Sequence, residues 1–143
     1  MEITLNEDEI PNAKALIRFQ TSLLTGKFNG RNIVDAANAD PELAMKILQL
    51  NECRQMYANF YRARRRGSPD AQMHYVQNIF CVSFAACPRE TQTLLGQFAA
   101  RDGETESARS ERIRRSRVKL ERCNQGFVKR FVKAINFPDR SLQ

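Results

Sequence analysis

The sequence predicts an all-α protein, a compact bundle of five to six helices with a long basic helix at its C-terminus. Apolar residues recur at spacings of three and four along most segments, which is the pattern of a helix with one buried face. Prolines and most glycines stand between these segments. With 143 residues, 42% of them hydrophobic, the chain is long enough for a single domain spanning residues 1–143.

The N-terminal part of the chain is expected to hold two helices. One extends from Pro11 to Thr25 and carries an apolar face, and a shorter one covers Arg31 to Asn38. Residues 1–5 alternate between polar and apolar as a short strand does, but five residues are weak evidence for a strand.

Three helices are predicted in the middle of the chain. In Asp40-Pro41 and Ser68-Pro69 an N-capping residue precedes a proline, the residue favoured at the first helical position. We therefore expect helices at Pro41–Arg66, Pro69–Cys87 and, after a third proline, Pro88–Arg101. The helix at Pro69–Cys87 is apolar almost all round, which is typical of a central helix.

The last predicted helix extends from about Thr105 to Asn136, after an exposed loop at 101–105. It carries an apolar stripe for packing, formed by Ile113, Leu120, Cys123, Phe127, Phe131 and Ala134. A second stripe lies about 130° around the helix, at about 100° per residue. We call this second stripe the basic ridge: Arg112, Arg115, Lys119, Arg122, Lys129 and Lys133.

Net charge is unevenly distributed along the chain. The total is +7, made up of −3 for residues 1–52, +5 for 53–101 and +5 for 102–143. Between Ala108 and Lys133 ten basic residues face only Glu111 and Glu121. A solvated helix face normally mixes both signs, so this excess favours a polyanionic partner. An acidic protein surface, or no partner at all, remains as an alternative.

A second basic patch lies at the end of the predicted helix Pro41–Arg66. The arginine cluster, as we call it, consists of Arg62, Arg64, Arg65 and Arg66. One or two cations at a helix C-terminus are enough to interact favourably with the helix dipole, and four exceed that need. Arginine guanidinium groups can bind phosphates in a bidentate manner. Nearby aromatic residues could stack on bases, although core packing is the commoner role. Tyr61, next to the cluster, is the one we most expect to be exposed.

The cysteines show no metal-binding pattern. Cys53, Cys81, Cys87 and Cys123 form no CxxC pair, and His74 is the only histidine. Zinc sites usually have closer ligand spacings. The N-terminus is acidic and does not look like an export signal, so we expect four free buried thiols in a cytoplasmic protein, with no metal and no cofactor.

The sequence indicates a binding function and not a catalytic one. It contains no P-loop, dinucleotide-binding, HExxH or GxSxG motif, so we expect no enzymatic activity and no small-molecule substrate. No segment has 18 consecutive apolar residues, and the apolar face of the last helix is needed for the core, so we also expect no membrane partner.

The two basic patches together predict a protein that binds the backbone of RNA or DNA without reading its sequence. Such a chain suits a repeating subunit of a nucleoprotein assembly, in the cytoplasm or in a virion. Viral coat or nucleocapsid proteins work in this way. So do the small helical subunits of CRISPR effector complexes, which this chain is like in size, helicity and charge but in no motif. The alternative is a phage- or virus-encoded binding module or inhibitor that docks on an acidic protein surface or a nucleic-acid channel.

Overall fold

The computed structural model is all-helical across the residues that it describes, which are 9–25, 34, 38 and 40–135. This confirms the predicted fold class. Six α-helices of the described residues form the bundle: α1 Lys14–Leu24, α2 Pro41–Glu52, α3 Arg54–Arg65, α4 Ala71–Ala86, α5 Pro88–Gln97 and α6 Glu106–Ile135.

Helix α4 is the centre of the bundle and packs against each of the other five helices. Ile79 and Val82 on α4 are fully buried, as the apolar circumference of this helix predicts. Its buried face also carries an amide, Asn78, which exchanges two hydrogen bonds with Gln20 of α1 at 3.0 and 2.9 Å. Each amide thereby satisfies the other, which limits the cost of burying them.

Helix α6 closes the bundle with the predicted apolar stripe. Leu120 and Phe131 are fully buried and Phe127 is 5% exposed. Phe19 of α1 meets both phenylalanine rings edge to face, with centroids 5.7 Å from Phe127 and 4.4 Å from Phe131. The Thr105 hydroxyl oxygen accepts from the Ala108 amide at 3.1 Å and so caps the start of α6.

The predicted continuous helix from Pro41 to Arg66 is wrong. The structure ends α2 at Glu52 and begins α3 at Arg54, with Cys53 between them. The Cys53 amide donates to the Leu50 carbonyl, a tighter three-residue turn than an α-helix makes. Cys53 has neither the ring of proline nor the freedom of glycine, so its sequence neighbourhood shows no break.

The prediction of four free thiols is also wrong. Two disulfides join Cys53 to Cys81 and Cys87 to Cys123, and they account for all four cysteines. The first links the α2–α3 turn to α4, and the second links the α4–α5 junction to α6. The sequence separations of 28 and 36 residues say nothing about pairing, because it is the packing of α3 and α6 against their neighbours that brings the sulfurs together.

Two early predictions lie wholly or mostly outside the described residues. These are the alternating segment 1–5 and the short helix at 31–38, of which only Val34 and Asn38 are described, both helical. The predicted loop before α6 is present, with a positive φ of 73° at Gly103 and exposed residues at 101–103.

Candidate nucleic-acid interface

The basic ridge divides into residues that pair within the fold and residues that do not. Its six members lie on one side of α6, and all but Arg112 are exposed. The apolar stripe packs the opposite side of the helix into the core, so the ridge is directed away from the bundle. The neighbouring groups decide which of these cations remain available to a ligand.

Arg112 is used inside the fold. Its guanidinium donates to both carboxylate oxygens of Glu104, and to the backbone carbonyls of Gln97 and Ala99 at 2.8 and 3.1 Å. The side chains of Arg112 and Glu104 are each only 14% exposed. The bonds tie the loop after α5 to α6, and they leave Arg112 little capacity to bind a phosphate.

Arg115 shares a carboxylate with its neighbour Arg114. Glu111 accepts from Arg114 at 2.7 and 2.9 Å and from Arg115 at 3.2 Å. The two guanidinium groups lower the pKa of Glu111 to about 2, so the carboxylate stays charged at neutral pH. Arg115 is therefore partly neutralised, although its side chain is 72% exposed.

Other cations of α6 connect the helix to the rest of the bundle. Arg130 forms an ion pair with Asp40, the residue that caps α2 through the Leu43 amide. Arg109 donates to the carbonyl of Phe98 and lies 3.3 Å from Glu106. The excess of positive charge on this helix is thus partly structural.

Four members of the ridge stay available, and we call them the open ridge: Lys119, Arg122, Lys129 and Lys133. All four are exposed, and none has an acidic partner among the described residues. At about 1.5 Å per residue, the open ridge is about 21 Å long. Gly126 lies within it, and a Cβ atom added there would meet open space. The open ridge is therefore a linear, unobstructed row of positive charge.

The arginine cluster surrounds the C-terminus of α3. The Ser68 amide donates to the Ala63 carbonyl and the Gly67 amide to the Arg64 carbonyl, with a φ of 64° at Gly67. This is a Schellman motif, which needs the left-handed conformation that glycine readily adopts. All four arginines of the cluster are exposed, and none has an acidic partner in the described part of the chain.

Tyr61 is the most exposed aromatic residue beside the cluster, at 44%. Its ring lies 5.1 Å from that of Tyr57 and 6.2 Å from that of Phe60, and Phe60 in turn contacts Tyr75 across α3 and α4 at 5.0 Å. These inner rings pack between helices and support Tyr61 from below. The prediction that Tyr61 would be the exposed member of the group is confirmed.

The open ridge and the arginine cluster lie on different helices, α6 and α3. Both of these helices pack against α4. Sequence reasoning also missed two cations of α1, Lys14 and Arg18, which share a pocket with α6.

Cys87, Glu90 and Cys123 form a group with metal-like spacing, their ligand atoms lying within 4.8 Å of one another. The two sulfurs are bonded to each other in a disulfide, so the group presents no thiolate to a metal ion.

The chain matches no protein-family model, no curated protein and no solved structure. Within the described residues, no helix combines the length and the apolar character that crossing a membrane requires.

Proposed function

We propose that this chain is a non-enzymatic nucleic-acid-binding protein that contacts the phosphate backbone through the open ridge and the arginine cluster. The observation that carries the proposal is the difference between two sets of cations on α6. Arg109, Arg112 and Arg130 are paired with carboxylates, whereas the four residues of the open ridge have no acidic partner among the described residues. Unpaired like charges in a row are relieved by a polyanion.

The composition of the open ridge favours backbone contacts over base readout. Three of its four members are lysines, which act as flexible point charges on phosphates. Duplex DNA carries one charge per about 1.7 Å of its axis, so a ridge of about 21 Å faces more phosphates than it has cations. Each cation therefore finds a phosphate in any sequence register.

The arginine cluster supports a second contact with different chemistry. Its guanidinium groups bind phosphates in a bidentate manner, and Tyr61 beside them presents a ring on which an unpaired base can stack. This combination favours single-stranded RNA or DNA at this end of the α3–α4 pair.

A chain with cationic patches on two different helices suits a repeating subunit of a nucleoprotein assembly, in which neighbouring copies follow one strand. We propose this role for it, in a viral or an RNA-guided assembly. Of the locations that the sequence left open, the virion fits two disulfides better than a reducing cytoplasm, because disulfides persist in oxidising surroundings.

The test is a binding titration of the full chain with fluorescent single-stranded RNA, single-stranded DNA and duplex DNA across a series of salt concentrations. If the open ridge contacts four phosphates, log K should fall with log salt. The magnitude of the slope should be at least about 2.8 on single strands and about 3.6 on duplex DNA. Affinity should vary little between unrelated sequences. Absence of binding at low salt would contradict the proposal and favour an acidic protein partner.

A further inference from the structure

The disulfide between Cys87 and Cys123 has a carboxylate beside it. Glu90 follows Cys87 by three positions at the start of α5, and its Oε2 lies 3.6 Å from Cys123 Sγ of α6. The ligand atoms of the three residues all lie within 4.8 Å of one another. Breaking the disulfide would therefore leave two thiols and a carboxylate side by side.

Nothing in the disulfide-bonded fold compensates the carboxylate of Glu90. The residue is half-buried, yet it has no ion pair and no nitrogen or hydroxyl donor among the described residues. A disulfide sulfur carries no proton, so Cys123 donates no hydrogen bond to Glu90 either. Partial burial of a carboxylate costs free energy unless a donor or a cation compensates it. The position of Glu90 therefore points to a cation.

The distances fit a tetrahedral zinc site. Zinc binds a thiolate sulfur at about 2.3 Å and a carboxylate oxygen at about 2.0–2.2 Å. At tetrahedral angles a sulfur and an oxygen ligand then lie about 3.6 Å apart, and two sulfur ligands about 3.8 Å. Glu90 Oε2 and Cys123 Sγ have this separation in the disulfide-bonded fold. On reduction the two sulfurs move to non-bonded contact, which is close to the separation of two zinc-bound sulfurs.

The local fold holds two of the ligands on one side of a helix start. Cys87 is the N-cap residue of α5, Pro88 takes the first helical position, and Glu90 lies in the first turn. Ligands separated by two residues are common in zinc sites. The positive end of the helix also favours negatively charged ligands. Cys87 is only 1% exposed, whereas Glu90 and Cys123 are half-buried and can be reached by an ion.

We propose that the reduced chain binds one zinc ion through Cys87, Glu90 and Cys123, with a water molecule as the fourth ligand. A dithiol reductant transfers two electrons and two protons to the disulfide and leaves as a disulfide of its own. Zinc then displaces the two thiol protons, which pass to water, and binds both thiolates and the carboxylate. Thiolate ligands select zinc over magnesium or calcium, which prefer oxygen.

The other disulfide does not offer the same site. In the described part of the chain, no histidine or carboxylate groups with Cys53 and Cys81 at the distances that a metal ion requires. Zinc would thus keep the α4–α5 junction attached to α6 where a reducing environment breaks both disulfides. The proposal involves neither the open ridge nor the arginine cluster, so a failure of nucleic-acid binding would leave it unaffected.

The test compares the oxidised full chain with the full chain after reduction by excess dithiol and desalting without oxygen. Native mass spectrometry after addition of zinc acetate should show one zinc ion on the reduced chain and none on the oxidised chain. Zinc should raise the Tm of the reduced chain, or restore its helical circular dichroism where reduction has removed it, because the ion binds the folded form. A reduced chain without zinc would overturn the proposal.

Two double variants show which cysteine pair binds the ion. Cys53→Ala with Cys81→Ala keeps the proposed ligands, whereas Cys87→Ala with Cys123→Ala keeps the same number of thiols at the other pair. After reduction, competition with a chromophoric zinc chelator should show roughly tenfold or tighter binding by the first variant, since the second lacks the carboxylate ligand. Equal affinity in the two variants would show binding to thiols in general and overturn the site.

Glu90→Gln tests the carboxylate. In the reduced chain it should weaken zinc binding by roughly tenfold or more. It should leave the Tm of the oxidised chain nearly unchanged, because Glu90 has no donor or cation partner there among the described residues. The matched control is Glu52→Gln, an exposed residue beside Cys53, which should leave zinc affinity unchanged. Unchanged affinity in Glu90→Gln, or an equal loss in both variants, would overturn the three-residue site.

Discussion

The guanidinium of Arg112 donates to both carboxylate oxygens of Glu104, at 2.9 and 2.6 Å, and so joins the loop before α6 to the body of that helix. The same guanidinium donates to the Gln97 carbonyl at the end of α5. Arg112 has the sequence spacing of the other basic-ridge residues, yet its hydrogen bonds stabilise the fold. The cations of α6 therefore divide into those that hold the bundle together and those that remain available to a ligand.

Replacing Arg112 with alanine should lower Tm by several degrees, because Glu104 and the carbonyls at the end of α5 would lose their donor. The comparison is Arg115→Ala, which removes an equal charge from a side chain that is 72% exposed and should change Tm little. Thermal unfolding followed by circular dichroism distinguishes the two. Equal melting temperatures would show that the Arg112 bonds contribute nothing to stability.

Stability should fall in acid because of carboxylates that ion pairs keep charged. Arg112 lowers the pKa of Glu104 below its ordinary value of 4.5, and Arg114 and Arg115 lower that of Glu111 to about 2. The folded chain therefore binds these protons less readily than the unfolded chain does. The stabilisation is complete above pH 4.5 and is lost as the pH falls towards about 2.

Glu104→Gln tests the assignment of this acid sensitivity. The variant should be less stable than wild type at neutral pH, and its Tm should decline less steeply below pH 4.5. Melting curves of both proteins at several pH values give the comparison. Parallel curves for the two proteins would exclude Glu104 as a source of the pH dependence.

The sequence predicts which face of α6 is buried, but it does not predict which residues pair with the charged side chains of α6. Leu120 and Phe131 face the core because helical periodicity is a local property. The pairing of Arg112 with a loop, and of Arg130 with the cap of α2, depends on how distant segments pack. The same holds for the pocket between α1 and α6, where Lys14 and Asn124 come from opposite ends of the described chain. The sequence contains one indication of this pocket, because the polar residue Asn124 interrupts the apolar stripe of α6.

Reducing the disulfides should destabilise the chain markedly. The sequence separations of 28 and 36 residues correspond to a loss of about 3.5 kcal/mol in the free energy of unfolding for each disulfide, on the chain-entropy account. Urea denaturation with and without a reductant measures the change. Titration of thiols in the unfolded, unreduced protein should find none. Four reactive thiols and an unchanged midpoint would contradict the observed pairing.

Gly126 should be replaceable with a gain in stability. Because a Cβ atom there meets open space, Gly126→Ala should stabilise the chain by about 0.5–1 kcal/mol, the usual difference between these residues inside a helix. Gly126→Lys should in addition lengthen the open ridge and tighten nucleic-acid binding. The control is Gly96→Lys on α5, where a side chain also meets open space but lies outside both patches. Equal tightening by both lysines would indicate a non-specific charge effect.

The salt dependence of nucleic-acid binding measures whether the open ridge contacts phosphates. Alanine at Lys119, Arg122, Lys129 and Lys133 should flatten the slope of log K against log salt by roughly 3, weaken all sequences alike and leave the fold intact. Alanine at Arg54, Arg89 and Arg101, which are exposed outside both patches, should leave the slope nearly unchanged. An unchanged slope in the open-ridge variant, or equal flattening per charge in the control, would show that the open ridge does not bind the phosphate backbone as a specific surface.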